Sequence, residues 1–368
     1  MEALWFVIVA GMLAMYVVLD GFDFGVGFLH LMVARTEVER RTVLAAIGPV
    51  WDGNEVWLIA AGGALFMAFP AAYAAGFSGF YLPLMLLLWV FILRGLSIAF
   101  RGQVTDPLWA AFWDTTFFLG STLIAVVLGV AVGNVFRGVP LDSTGTFHIP
   151  LFATFWPGTR SGVIDAYTAL VGVFTLAALG GHGGLYLAMK TDGPVQERST
   201  QAARILWLVA GVLFLLVTWS TVHVAPELTA IAGQRPLVWI LAALVVASVA
   251  MLGIGLVREQ AMLAFVGSAG TLFTLLGAGA AARWPVLLRS SLGPSLSLDA
   301  FNAATSPHGL RVATIWMLVG LPLACGYYLF ITRLFRGTVR LETPPVAPSL
   351  PEPADDARAL QSLPKLGQ

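Results

Sequence analysis

Two acidic pairs stand inside stretches that are otherwise apolar for the length of a bilayer. Asp20 and Asp23 interrupt the first such stretch, and Asp52 and Glu55 open the second. At i, i+3 spacing both carboxylates of a pair share one face of a helix. An ionised carboxylate at the centre of a hydrocarbon layer costs at least ~2.5–3.5 kcal/mol, so it persists only where protein or water surrounds it. Two neighbouring carboxylates cannot both ionise cheaply. Such a pair, connected to water, can take up a proton and pass it on. Arg94, inside a third apolar stretch, is the expected counter-ion through charge-assisted hydrogen bonds. The milder alternative is a static Asp–Arg network that only locks helices together. Asp52 and Glu55 also suit the first turns of a helix, where the macrodipole favours negative charge. That reading does not reach Asp20 and Asp23, which lie well inside their helix.

The elements that must position these groups are transmembrane helices. Of 368 residues, 58% are hydrophobic and only 11% charged, about half the charged share of a soluble domain. The net charge of zero gives no reason to expect nucleic acid as a partner. Cys325, the single cysteine, excludes an internal disulfide and a multi-cysteine metal site and reads as a small buried hydrophobe. The opening Met1-Glu2-Ala3-Leu4-Trp5 lacks the basic region of a cleavable signal peptide, so the first helix is expected to stay in the mature protein.

Windows of roughly 20 apolar residues predict nine helices, near 4–33, 49–69, 73–99, 115–136, 163–189, 204–225, 237–257, 261–282 and 310–335. The expected fold is an all-α polytopic membrane protein, with two four-helix bundles and one peripheral helix. Its parts are a first bundle over 1–136, an external loop over 137–162, a second bundle over 163–282, an external loop over 283–309, the peripheral helix over 310–340, and a disordered, proline-rich cytoplasmic tail over 341–368. Of the 20 Lys and Arg residues, fourteen fall on the side shared by the odd-to-even connections and the C-terminus, including Arg35, Arg40, Arg41, Arg94 and Arg101. That bias predicts an external N-terminus and a cytoplasmic C-terminus. It places Asp20, Asp23, Asp52, Glu55 and Arg94 together in the cytoplasmic half. A faint repeat supports two like-oriented bundles: Glu39-Arg40-Arg41-Thr42 follows the first helix and Glu197-Arg198-Ser199-Thr200 the fifth, while Leu19-Asp20-Gly21 echoes Leu179-Gly180-Gly181. Chance likeness between apolar segments would give the same pattern.

Other residues carry weaker signals. Gly180-Gly181-His182-Gly183-Gly184 presents a histidine without neighbouring side chains. It could ligate haem iron, relay protons, or simply pack and hydrogen-bond to a neighbouring helix, the more ordinary outcome. His30, His148, His223 and His308 lie near span ends or in loops and read as interfacial. Trp51 and Trp57 are candidates to line a quinone or a subunit contact. No P-loop, dinucleotide fingerprint, zinc or iron–sulfur spacing appears. Any redox activity would therefore need a partner.

These residues resemble a known family, subunit II of the cytochrome bd-type quinol oxidases. The likeness runs through Leu19-Asp20-Gly21-Phe22-Asp23-Phe24-Gly25-Val26-Gly27, Gly48-Pro49-Val50-Trp51-Asp52-Gly53-Asn54-Glu55-Val56-Trp57-Leu58 and Ala75-Gly76-Phe77-Ser78-Gly79-Phe80-Tyr81. It continues in Phe91-Ile92-Leu93-Arg94-Gly95, Trp113-Asp114, Gly120-Ser121 and the run from Gly133 to Pro140. Beyond residue 150 it rests on helix count and spacing. The resemblance implies a bacterial inner-membrane subunit paired with a larger, haem-bearing subunit I that holds haem b, haem d and the quinol site. It also implies oxidation of quinol, reduction of dioxygen to water and proton uptake from the cytoplasm. Asp52 matches the family's acid at a proposed cytoplasmic proton mouth, and Asp20, Asp23 and Arg94 the polar groups around it. A small single-helix accessory subunit is a further implied partner. Some relatives hold a structural quinone, which the compact external loops here do not favour. No haem is assigned to His182 on this ground. The rival from another class is a stand-alone ion-coupled transporter using the same acids, and a third reading is a scaffold that carries no protons.

Overall fold

The computed structural model describes residues 1–158 and 161–339. The expectation for the tail over 341–368 lies outside them. The chain forms α1 (Glu2–Val33), α2 (Glu37–Ile47), α3 (Trp51–Ala68), α4 (Pro70–Gly79), α5 (Tyr81–Phe100) and α6 (Pro107–Arg137). It continues through α7 (Ala166–Lys190), α8 (Gly193–Val224), α9 (Pro226–Gly233), α10 (Pro236–Val257), α11 (Ala261–Arg283) and α12 (Pro307–Leu334). A short antiparallel pair, β1 (Val286–Leu288) and β2 (Leu298–Asp299), lies between α11 and α12. This is an all-α polytopic membrane protein.

Among the described residues, eight helices are long and apolar enough to cross a bilayer. The ninth expected crossing corresponds to α3, whose 18 residues would reach ~27 Å at 1.5 Å per residue. Its polar start, Asp52, Asn54 and Glu55, lowers its apolarity. The helix expected over 73–99 is two helices. Phe80 separates the ten-residue α4 from α5, and α4 packs against β1 and β2. Phe69 leaves helical geometry just before Pro70, which occupies the first turn of α4 where a missing N–H costs nothing. The connection after α1 is not a loop throughout, since α2 is closed by a capping box in which Thr36 and Glu39 satisfy each other's backbone N–H. Asp106 and Ser306 cap α6 and α12 ahead of a proline, and Asp165 with Thr168 forms a second capping box at α7.

Helix α1 is the hub, packed against α3, α6, α7 and α11. Its tightest crossing is with α7. A Cβ added at Gly25 would lie 1.9 Å from the Leu179 carbonyl oxygen, and one at Gly183 would lie 2.4 Å from the Gly25 carbonyl carbon. Glycine at both positions lets two backbones touch, the usual device for packing helices that gain nothing from excluding water. The two segments of the faint repeat also meet. Gly21 faces Leu179, and Arg198 is ion-paired with Glu39. The outward faces of α8, α10 and α12 are apolar and exposed. Cys325 belongs to that surface on α12 and is exposed, a correction to the buried position expected of it. An apolar cysteine on a span is as well accommodated by an apolar environment outside the chain as by a core.

The Gly25–Gly183 crossing yields a direct expectation. Gly25→Val should prevent α1 and α7 from seating, costing at least ~3 kcal/mol by overpacking, and should lower the thermal midpoint of the detergent-purified protein. Gly11→Ala, where a Cβ meets nothing within 4 Å, should leave that midpoint unchanged.

Candidate functional site

The acids and the arginine singled out in the sequence come from three helices, and the fold brings most of them together. Asp20 and Asp23 on α1 and Arg94 on α5 are all 0% exposed. The Arg94 guanidinium bridges two carboxylates, with Nη1 donating to Glu55 Oε1 at 2.7 Å and Nη2 lying 3.6 Å from Asp20 Oδ1. Its Cζ sits 4.7 Å over the Phe24 ring, an added cation–π contact. Asn54, which carries no role in the sequence reading, donates its amide to Asp23 Oδ2 at 2.7 Å and to the Leu19 carbonyl at 3.2 Å.

The cluster is graded by exposure. Asp52 is exposed and forms no ion pair among the described residues; the Glu55 side chain is 27% exposed; the two aspartates are sealed. Two carboxyl groups thus share one guanidinium, and Asp23 is held on the same helix face by Asn54. Both Asp20 oxygens, Asp23 Oδ1, Asn54 Oδ1 and the Tyr16 hydroxyl are buried without a hydrogen-bonding partner in the protein. Buried polar atoms of this kind are satisfied by water or by a shared proton. Chemically, the arrangement can hold a proton in the membrane interior beside a fixed positive charge.

The remaining candidates go elsewhere. Trp51 packs over Gly95 beside the cluster. Trp57 is buried and, with Met12 and Trp316, lines an apolar groove of about 460 Å³ between α1, α3 and α12. His182 lies apart, fully buried and stacked on Phe265 at 4.8 Å. Its Nε2 donates to the Val18 carbonyl at 3.0 Å, and its Nδ1 is 2.6 Å from Ser268 Oγ. With both nitrogens engaged, neither is open to iron. Among the described residues no group of three His, Cys, Asp or Glu side chains is placed to hold a metal ion.

A second ionic cluster escaped the sequence reading. Asp114 on α6 is buried and accepts from three cationic or imidazole partners: His30 Nε2 at 2.7 Å, Arg101 Nε at 2.6 Å and Arg40 Nη1 at 3.0 Å. Arg101 in turn makes a bidentate pair with Glu37 at 2.8 and 2.7 Å. His30 is therefore buried and not interfacial, a correction that follows from its carboxylate partner. The signal was available in part. A hydropathy window starts the fourth helix at 115 and trims away its polar first turns, whereas the helix begins at Pro107. Asp114 is then seven residues inside it. A third buried group ties the opposite end, where Arg137 pairs with Asp165 and donates to Asn134 Oδ1 at 2.6 Å and the Gly162 carbonyl at 3.0 Å.

Fold and site together define a polytopic helical membrane protein that keeps carboxylates and an arginine in its interior. The sequence profile of the cytochrome bd terminal oxidase subunit II family matches residues 1–335, and the chain belongs to that family. It is 32% identical to cytochrome bd ubiquinol oxidase subunit 2 of Bacillus subtilis (strain 168), covering 93% of this chain and 97% of the relative. It is also 32% identical to cytochrome bd-I ubiquinol oxidase subunit 2 of Escherichia coli (strain K12), covering 88% and 91%. In solved structures its fold is similar to a chain of the bd oxidase from Geobacillus thermodenitrificans, with a TM-score of 0.71 at 18% identity, covering 91% of this chain and 98% of that one. The match extends far past residue 140, so the second half shares the ancestry that only the first half shows in motifs.

Removing one partner from a buried pair strands the other charge, at a cost of ~3–5 kcal/mol. Arg101→Ala should therefore lower the thermal midpoint sharply, and Asp114→Asn less, because the amide still occupies the site. The Arg101 hydrogen bonds hold the Glu37 carboxyl below its ordinary value of 4.5. Its contribution is complete above pH 4.5 and fades as pH falls through the lowered folded value. Glu37→Gln should flatten the acid limb of a midpoint-against-pH curve; an unchanged limb would show that the pair is screened by solvent.

Proposed function

We propose that this chain is the haem-free subunit II of a bd-type quinol:oxygen oxidoreductase and conducts protons toward the reaction. The observation that carries the reading is the graded line of acids, from exposed Asp52 through half-buried Glu55 to sealed Asp23 and Asp20, around one arginine. The ubiquinol oxidase subunits named among its relatives support the oxidase part. The partner is the haem-bearing subunit I, whose haem b and haem d would supply the electron transfer and the reduction of dioxygen to water. A small single-helix accessory subunit, quinol and lipids complete the set of partners.

In this reading Glu55 receives a proton from water at Asp52 and yields it inward along Arg94 to Asp20 and Asp23. Arg94 keeps the carboxylates affordable when they are ionised, and Asn54 fixes the Asp23 orientation. Arginine is suited to this, since its guanidinium stays charged whatever the carboxylates do. The bias of cations to the Val33 end of α1 puts that end in the cytoplasm, with the N-terminus external and the C-terminus cytoplasmic. In this reading the helices group as two four-helix halves, α1, α3, α5 and α6 beside α7, α8, α10 and α11, with α12 peripheral. The groove beside Trp57 has the apolar walls that an isoprenoid tail of a structural quinone requires; its only polar side-chain groups are the indoles of Trp57 and Trp316.

The test is quinol-driven oxygen uptake by the complex purified in mild detergent, with haem content measured on the same sample. Glu55→Gln and Asp23→Asn should slow turnover by about 10²-fold, the usual scale for losing a positioned proton-transfer group, at normal haem content. Asp52→Asn should slow it less, because Asp52 is exposed and other groups can take its place at the mouth. Arg94→Ala should instead reduce assembly and haem content, since it strands the carboxylates. Full turnover in all three acid variants would leave a scaffold role. A folded chain that purifies without a haem-bearing partner would favour an ion-coupled transporter.

A further inference from the structure

At the Val33 end a cavity of about 320 Å³ lies between the end of α2, the turn into α3, the last turns of α7 and the segment after α12. Pro49, Val50, Tyr186, Lys190 and Thr338 form parts of its wall, which is far more polar than the groove beside Trp57. The segment after α12 is tied across it. Lys190 Nζ donates to the Phe335 carbonyl at 2.6 Å, and the Val339 N–H donates to the Lys190 carbonyl at 2.8 Å. The Lys190 ammonium is thus spent on carbonyl oxygens, and Arg336 is the other charged group of the wall. Asp52 does not line this cavity.

Two of its walls lead to Asp23. The Val50 carbonyl accepts from the Asn54 N–H at 3.0 Å, and the Asn54 side chain holds Asp23 Oδ2. One helical turn therefore separates the cavity wall from the residue bonded to the carboxyl. On the α7 side, Tyr186 stacks on Phe22 at 4.1 Å, next to Asp23 in sequence, and its hydroxyl donates to the Ala46 carbonyl at 2.9 Å. The charged groups clustered with Asp23 are Asp20, Glu55 and Arg94. Asp23 Oδ1 is sealed and has no partner in the protein.

We propose that this cavity is a proton inlet to Asp23, distinct from the Asp52 mouth. Tyr186 and Asn54 are positioning residues that order water between its wall and the carboxyl. The segment over 335–339, clamped by Lys190, sets the width of its mouth. The proposal rests on the proton-conducting reading above, and its failure is separable from the failure of that reading.

The experiment uses the whole oxidase complex in inverted membrane vesicles, cytoplasmic face outward, in a Cys325→Ser background. Ala45→Cys, in the cavity wall, and Asp52→Cys are each treated with a trimethylammonium methanethiosulfonate reagent. Oxygen uptake is compared with the untreated sample of the same variant. Modified Ala45→Cys should lose turnover at least about tenfold, reversibly with reductant. Unchanged turnover after complete labelling overturns the inlet; if labelled Asp52→Cys slows meanwhile, the proton reading stands and uptake is at Asp52. If neither slows and Asp23→Asn turns over normally, the proton reading itself falls. Tyr186→Phe keeps the stacking on Phe22 and should move the alkaline limb of turnover to lower pH at normal haem content. An unmoved limb removes Tyr186 from the pathway, because loss of the Ala46 hydrogen bond alone would change stability and not the limb.

Discussion

A charge inside a bilayer has to be answered by another charge, by a proton or by water, and the buried ionic clusters described above follow that constraint. Arg94 is where it bears hardest. Its guanidinium is completely buried, with Glu55 on one side, Asp20 on the other and the Phe24 ring beneath. The three charged groups come from three different helices, so the ion pairs fix α1, α3 and α5 relative to one another. Helix contacts in a membrane gain little from the hydrophobic effect, because lipid is as apolar as the helix surface. Ionic ties and close backbone approach therefore carry the specificity.

The same principle organises both ends of the molecule. At the Val33 end Asp114 gathers His30, Arg40 and Arg101, which joins α1, α2, the end of α5 and the start of α6. At the Met1 end Arg137 and Asp165 join the end of α6 to the start of α7. Between these ties, Gly25 and Gly183 allow α1 and α7 to touch. The cluster around Arg94 differs from the other two in one respect. Asp114 has all the donors its oxygens can use, whereas Asp20 and Asp23 keep oxygens without protein partners. A saturated carboxylate locks helices; an unsaturated one has room for a mobile proton.

Much of the fold was legible because bilayer thickness imposes a length and an apolarity on every span. The windows missed where polarity and geometry interrupt that rule. The break at Phe80 divides an apolar run into α4 and α5, and the polar first turns of α6 hid Asp114. Of the site, Asp20, Asp23, Glu55 and Arg94 were legible as costly exceptions in hydrocarbon. Asn54 was not, since an uncharged amide near a helix start is ordinary until its bond to Asp23 is visible. His30 was misplaced for a similar reason, because proximity to a span end says nothing about a carboxylate 84 residues away.

The sequence by itself determined the class of protein, the approximate spans, the family and the four charges that cannot rest in lipid unaided. Those follow from composition, periodicity and local motifs, which act over one turn or one span. Only the tertiary structure decided which acid meets which base, that Asp52 stays exposed while Glu55 reaches Arg94, and that His182 spends both nitrogens on Val18 and Ser268. Such pairings depend on helix rotation and depth, and a turn of 100° per residue moves a side chain from lipid to core without altering the hydropathy of the span.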